Sequence, residues 1–155
     1  MSDRNNVFYS KDGNPEVWEK KPEGYMTEQE WLASPPTPDM INKKLDEIKE
    51  LRKVEEYGGI LFNGLTVETD NDSQSKLTGA MTAYQATGIF SNIWKCQDGW
   101  LELKVSDEFI ALCMAVNGHV MKCFRKELHY TMIIQNAKSI TEFMNISWGD
   151  ASWTE

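Results

Sequence analysis

The sequence predicts an α+β fold: two short β-hairpins packed with a mid-chain helix and one long C-terminal helix, plus a small N-terminal β/turn appendage. Three observations predict it. Asn63-Gly64 stands between the apolar runs Ile60-Leu61-Phe62 and Leu65-Thr66-Val67, the signature of a tight hairpin turn that needs positive φ angles. Apolar residues recur at helical spacing from Phe109 to Leu128 with no proline among them, which a long amphipathic helix requires. The first forty residues are polar, interrupted by Asp12-Gly13-Asn14-Pro15 and Pro22-Glu23-Gly24, and close on Ser34-Pro35-Pro36-Thr37-Pro38. Such a proline cluster reads as a linker. At 155 residues there is room for one domain of ordinary size and a short appendage. We therefore expect an appendage and linker over residues 1–38, an α+β domain over 39–148 and a tail over 149–155.

Within the appendage, Val7-Phe8-Tyr9-Ser10 and Glu16-Val17-Trp18-Glu19 flank the Asp-Gly turn and can pair as a hairpin. Thr27-Glu28-Gln29-Glu30 has the form of a capping box opening a helical turn through Trp31 and Leu32. A two-stranded unit is marginal in water, so this segment should dock on the main domain or on a partner. Thr37 can cap the next helix with Pro38 at its first position, and Ile41, Leu45, Ile48 and Leu51 form its apolar stripe until Gly58-Gly59. The residues between Lys43 and Glu56 are mostly charged, with Lys43/Glu47 and Glu50/Lys53 spaced to pair. A narrow stripe on so charged a helix suits a coiled-coil seam, a projecting arm, or a surface helix lying on a sheet.

After the Asn63-Gly64 hairpin, Asp70 to Ser73 supply N-caps for a helix carrying Leu77, Ala80, Met81 and Tyr84 on one face and ending at Gly88. A second hairpin runs from Phe90 to Cys96 and from Trp100 to Val105 around Gln97-Asp98-Gly99, with Trp94 and Trp100 as aromatic anchors. Ser106, followed by Asp107 and Glu108 where the helix dipole favours anions, opens the long helix. Phe109, Leu112, Val116, Val120, Cys123, Phe124 and Leu128 are its expected core stripe, and Gly118 inside it suggests a close neighbour or a bend. Ser139-Ile140-Thr141-Glu142 is a capping box for a last short helix, after which come Trp148 and Trp153.

Composition narrows function. Hydrophobic residues at 41% and charged residues at 26% are those of a folded globular chain. A formal charge of −8 opposes the phosphate backbone, so nucleic acid is not an expected partner. The longest apolar run, Phe109 to Val116, is far short of a membrane span, and no membrane partner is expected. Met1-Ser2-Asp3-Arg4-Asn5-Asn6 has no apolar secretory core, which places synthesis in a cytoplasm. Cys96, Cys113 and Cys123 are odd in number and lie in apolar contexts, as reduced buried thiols do.

Catalytic chemistry is hard to assemble from these residues. The glycines are scattered among turns and caps instead of clustered ahead of a helix, so no phosphate loop is present. The two histidines, His119 and His129, share the long helix, where ten residues put them about 80° apart and about three turns along the axis. They cannot act as a pair. His119 and Cys123 share a face at i,i+4, yet no C-x-x-C pair exists to complete a tetrahedral metal site. Glu68, Asp70 and Asp72 cluster near a strand-to-helix junction, but the run lacks the glycine and glutamate of a calcium loop, and capping explains it better. No catalytic residue, cofactor or metal is expected. What stands in excess is aromatic: Tyr9, Trp18, Tyr25 and Trp31 in the appendage and Trp148 and Trp153 at the end. These six either dock on the chain's own core or bind a partner.

Asn63-Gly64-Leu65-Thr66-Val67-Glu68-Thr69-Asp70, followed by Ser73 and by Lys76-Leu77-Thr78-Gly79-Ala80, resembles the core motif of a phage-encoded domain of unknown function. In that domain a charged helix precedes "NG-x-x-x-x-TD" and "S-x-x-K-L-x-G-A", and a tryptophan hairpin and a long histidine-bearing helix follow. The resemblance covers roughly residues 40–148. Members lie in phage tail regions, some labelled tail-fibre assembly proteins, and the opening Val7–Gly13 with Trp31 is similar to their N-terminal strand units. The resemblance implies a tail structural or accessory protein made in the host bacterial cytoplasm. It would stay in the virion tail, mounting a tail fibre or tailspike within a multi-subunit assembly of tail proteins. The alternative it implies is a tail-fibre assembly chaperone absent from the virion.

Overall fold

Short polar side chains set most of the helix starts, because each supplies an acceptor for an otherwise orphaned N–H in the first turn. The computed structural model describes residues 6–18 and 20–155. Met1 to Asn5 and Glu19, which enter the expectations for the leader and the second strand, lie outside the described residues. The elements are β1 (Asn6–Tyr9), β2 (Pro15–Trp18), β3 (Met26–Thr27), α1 (Glu28–Ala33), α2 (Pro38–Glu56), β4 (Ile60–Phe62), β5 (Leu65–Val67), α3 (Asn71–Thr87), β6 (Ile93–Cys96), β7 (Gly99–Glu102), α4 (Ser106–Gln135) and α5 (Ile140–Met144). The fold class is α+β, with small antiparallel hairpins and a long C-terminal helix. The chain divides into two compact units, one of the chain up to Ile48 with His129–Thr154 and one of Lys49–Leu128 with Glu155. The expected boundaries after residues 38 and 148 both fall inside the first unit.

In the first unit, β1 pairs antiparallel with β2, Val7 opposite Val17, and on its other edge with β3, which the sequence reading did not anticipate. Thr27 caps α1 by accepting from Glu30 N at 3.1 Å. The far end of α1 is closed by α5: Ile140 N donates to Ser34 O at 2.8 Å and Thr141 Oγ1 to Leu32 O at 3.1 Å. With Pro36 buried as well, the proline stretch expected as a linker is anchored. Thr37 caps α2 through Met40 N, and Ile48, Tyr130, Ile134, Phe143 and Ile146 form the core, with Ile41, Leu45, Trp148 and Trp153 packed against it.

In the second unit, Asn63 (φ 49°) and Gly64 (φ 80°) turn β4 into β5. Both central residues of a type I′ turn need positive φ, which asparagine tolerates and glycine adopts freely. The second hairpin turns over Gln97-Asp98 alone, since Cys96 pairs with Gly99. It fastens to the first where Gln97 N donates to Thr66 O at 3.0 Å and Asp98 Oδ1 accepts from Thr66 N at 2.9 Å. Asp70 caps α3, accepting from Ser73 N at 2.8 Å, and Gly88 ends it in the left-handed conformation. Val67, Leu77, Cys96, Leu101, Leu103, Phe109, Leu112, Cys113 and Val116 make the core, and Tyr84 and Phe90 pack on Phe109 at ring distances of 5.8 and 6.3 Å.

Several expectations are corrected. Lys43 pairs with Asp39, not Glu47, whereas Lys53 does pair with Glu50. Trp94 packs against the core, but Trp100, across the ladder from Lys95, is 62% exposed. Leu51, Phe124 and Leu128 also face outward. The inward positions of α4 are Phe109, Leu112, Val116, Cys123, Tyr130 and Ile134, with Lys126 in the same phase, and Phe124 and Leu128 are out of that phase. Gly118 has no heavy atom within 4 Å of where a Cβ would stand, so the expected close neighbour does not exist among the described residues, and α4 runs on through it without a break.

Candidate functional site

The six aromatic side chains singled out by composition all find partners in the first unit. Tyr9 stacks on Trp31 with ring centroids 4.1 Å apart and planes 2° from parallel. Gly13, at φ 79°, lies against the Trp31 indole, where any Cβ would come within 3.0 Å of Nε1. Trp18 meets Tyr25 edge-on at 6.2 Å, and Trp18 Nε1 and the Tyr25 hydroxyl both donate to one oxygen of Glu16, at 3.0 and 2.8 Å. That bond to a carboxylate, with some burial, raises the Tyr25 hydroxyl above its ordinary pKa. Trp148 tilts onto Tyr130 and Trp153 onto His129, at 5.3 and 5.5 Å. Of the six, Trp18 is the most open, at 44% exposure. Beside it Val7 and Val17 oppose each other on the ladder, both exposed, and β2 forms the edge of its sheet.

The last residues are tied down by Asp150. Its carboxylate accepts from Tyr130 Oη at 3.0 Å, Ser147 N at 3.1 Å, and both the amide and the hydroxyl of Ser152. Donors aimed at the ionised form, the Ser152 hydroxyl foremost, lower its pKa from 3.8 to about 2. The same tyrosine oxygen accepts from Gly149 N at 2.9 Å.

The second unit holds a polar cluster that the sequence reading missed. Arg52 is buried and forks between Glu56 at 2.8 Å and Glu127 at 3.0 Å, while its guanidinium lies 4.8 Å from the centre of the Phe124 ring. Burial works against its charge, but the bonds to Glu127 and Glu56 prevail and raise its pKa. Lys126, also buried, reaches Glu55 at 3.0 Å. At the end of α2, Thr69 Oγ1 donates to Glu56 O and accepts from Gly59 N at 2.9 Å. His119 Nε2 faces Glu55 O and Glu56 O at 3.0 and 3.1 Å. Two carbonyls leave that nitrogen only a donor's role, so His119 closes a helix end. Cys123 Sγ lies 3.9 Å from it. Among the described residues no three His, Cys, Asp or Glu side chains gather as metal ligands. A signal for the cluster lies in the sequence: Ile41, Leu45 and Ile48 continue in phase through Arg52 to Glu56, not through Leu51, so part of the charged run turns inward.

Two hollows lie in the second unit. A groove of about 410 Å³ between α3 and α4 is lined by Leu77, Met81, Val116 and Val120 with Gln74, Gln85 and Asn117 at its edge, and Cys113 is its one ionisable group. A second, of about 530 Å³, has Glu68, Lys76, Lys95 and Cys96 around Trp94. Burial raises the pKa of Cys96, Cys113 and Cys123 alike, with nearby carboxylates adding to it at Cys96 and Cys123, so these thiols stay protonated and are poor nucleophiles. The acidic junction that suggested calcium is occupied by capping: Asp70 holds Ser73 N, and Asp72 pairs with Lys76 at 2.7 Å. Among the described residues no helix is long and apolar enough to cross a membrane.

A family model described as "Domain of unknown function (DUF4376)" matches residues 40–147. No curated protein and no solved structure shows significant similarity to the chain.

Proposed function

The chain belongs to the DUF4376 family, a family whose description assigns no chemistry. On that premise we propose that it is a non-enzymatic phage tail accessory protein, mounting a tail fibre or tailspike on the virion by protein–protein contact. The residues matched by the family model include the Asn63–Ala80 block on which the resemblance to a phage tail domain rests. The observation that carries the contact reading is the N-terminal hairpin, where Val7 and Val17 stand exposed on one face and Trp18 on the other, in a sheet whose β2 edge has no partner strand among the described residues. Unpaired edge N–H and C=O groups beside apolar side chains are what a partner strand needs. The groove between α3 and α4 has a protonated thiol as its one ionisable group and no base, which favours binding over catalysis there.

Mass spectrometry of gradient-purified virions should find the chain alongside the fibre protein. A pull-down with the product of the adjacent fibre gene should succeed with the natural chain and fail with Val17→Asp, a change on an exposed side chain that leaves the fold intact. Virions that carry fibres but lack this chain would overturn the mounting role in favour of an assembly chaperone. Capture unaffected by Val17→Asp would remove the hairpin from the interface.

A further inference from the structure

The outward face of α4 leaves the large apolar side chains Met114, Met121 and Leu128 in water. Asp107, Ala111, Met114, Gly118, Met121, Arg125 and Leu128 follow one another at alternating spacings of four and three, and every one is exposed. Met114 is 68% exposed and Leu128 58%. Spacing of this kind defines a seam along one side of a helix, the side that in a coiled coil meets another helix. A solvated helix would carry polar side chains where Met114, Met121 and Leu128 stand. Gly118 sits in the middle of the seam with open space above it and no role in this chain's own packing.

The geometry points to a second copy of this chain as the occupant, its α4 packed antiparallel against the first across a two-fold axis level with Val116. The seam is self-complementary only in that direction. Asp107 and Arg125 each stand nine residues from Val116, so an antiparallel copy brings each acid opposite the other copy's guanidinium. Ala111 and Met121 each stand five away, and Met114 and Gly118 two away. Large thus meets small at each apolar level: Met114 enters the space that Gly118 leaves empty, and Met121 covers Ala111. A two-fold interface requires this reciprocity, residue i meeting j while j meets i. A parallel copy would set Asp107 against Asp107 and Arg125 against Arg125. The inference is independent of the phage-tail reading, because it uses only this helix.

Sedimentation velocity over a concentration series at physiological ionic strength tests it. The natural chain should reach the dimer mass. Arg125→Asp and Asp107→Arg should each halve the mass, since each sets like charges opposite one another, while far-UV circular dichroism stays unchanged. An equimolar mixture of the two variants should restore the dimer, because each then supplies the charge the other lacks. A natural chain that stays monomeric throughout the series overturns the proposal, as does a dimer that survives either single variant or one that the mixture fails to restore.

Discussion

Thr69 is the smallest side chain on which a large part of the second unit turns. It is fully buried, and its one hydroxyl donates to Glu56 O and accepts from Gly59 N. Thr69→Val keeps the shape and strands both backbone groups, so a loss of about 1–3 kcal/mol is expected in urea unfolding. Asp150 works by charge instead. Its folded pKa of about 2 lies below the ordinary 3.8, so its contribution is complete above about pH 4 and vanishes as pH falls through 2. Thermal melts between pH 5 and 2 should show the natural chain losing stability over that window. Asp150→Asn should start lower and show a shallower fall, because the group that titrates is gone.

At the scale of elements, α2 packs the expected Ile41, Leu45 and Ile48 inward, but its last turns are held by paired charges instead of Leu51. Arg52 answers both Glu56 and Glu127 out of water. Arg52→Met should therefore cost about 3–5 kcal/mol, since it leaves two carboxylates without their cation. Adding Glu56→Leu and Glu127→Leu to that variant should recover most of the loss, and chemical denaturation of the single and triple variants checks both steps. Helix and turn ends were legible because a cap is chemistry within a few residues: Thr27, Thr37, Asp70 and Ser139 each accept the amide expected of them. Asn63-Gly64 and Gly88 were legible for the same reason. Helix phase was not. In α4, greasy Phe124 and Leu128 were assigned to the core, while His119 and Lys126 hold inward positions because carbonyls and a carboxylate wait for them there. Strand β3 is two residues long and has no period to read.

For the whole molecule, sequence gave the six aromatic candidates but not their partners, since Trp148 on Tyr130 and Tyr9 on Trp31 join residues far apart along the chain. Nor could it show that the segment before Ile48 and the segment after His129 belong to one compact unit. That grouping makes a forecast for removal of residues 1–38. Without α1, Ile140 N loses the Ser34 carbonyl, so hydrogen exchange at that amide should speed up, while amides of the β4–β5 hairpin keep their protection. Equal loss in both places would contradict the grouping.

The three free cysteines, Cys96, Cys113 and Cys123, are all buried and all fall within Lys49–Leu128. Cys123, 1% exposed and outside both hollows, therefore serves as a built-in stopwatch: a thiol-blocking reagent can mark that sulfur only when its surroundings open, so the pace of its alkylation times the breathing of this part, with no probe to be installed and no signal from the remainder.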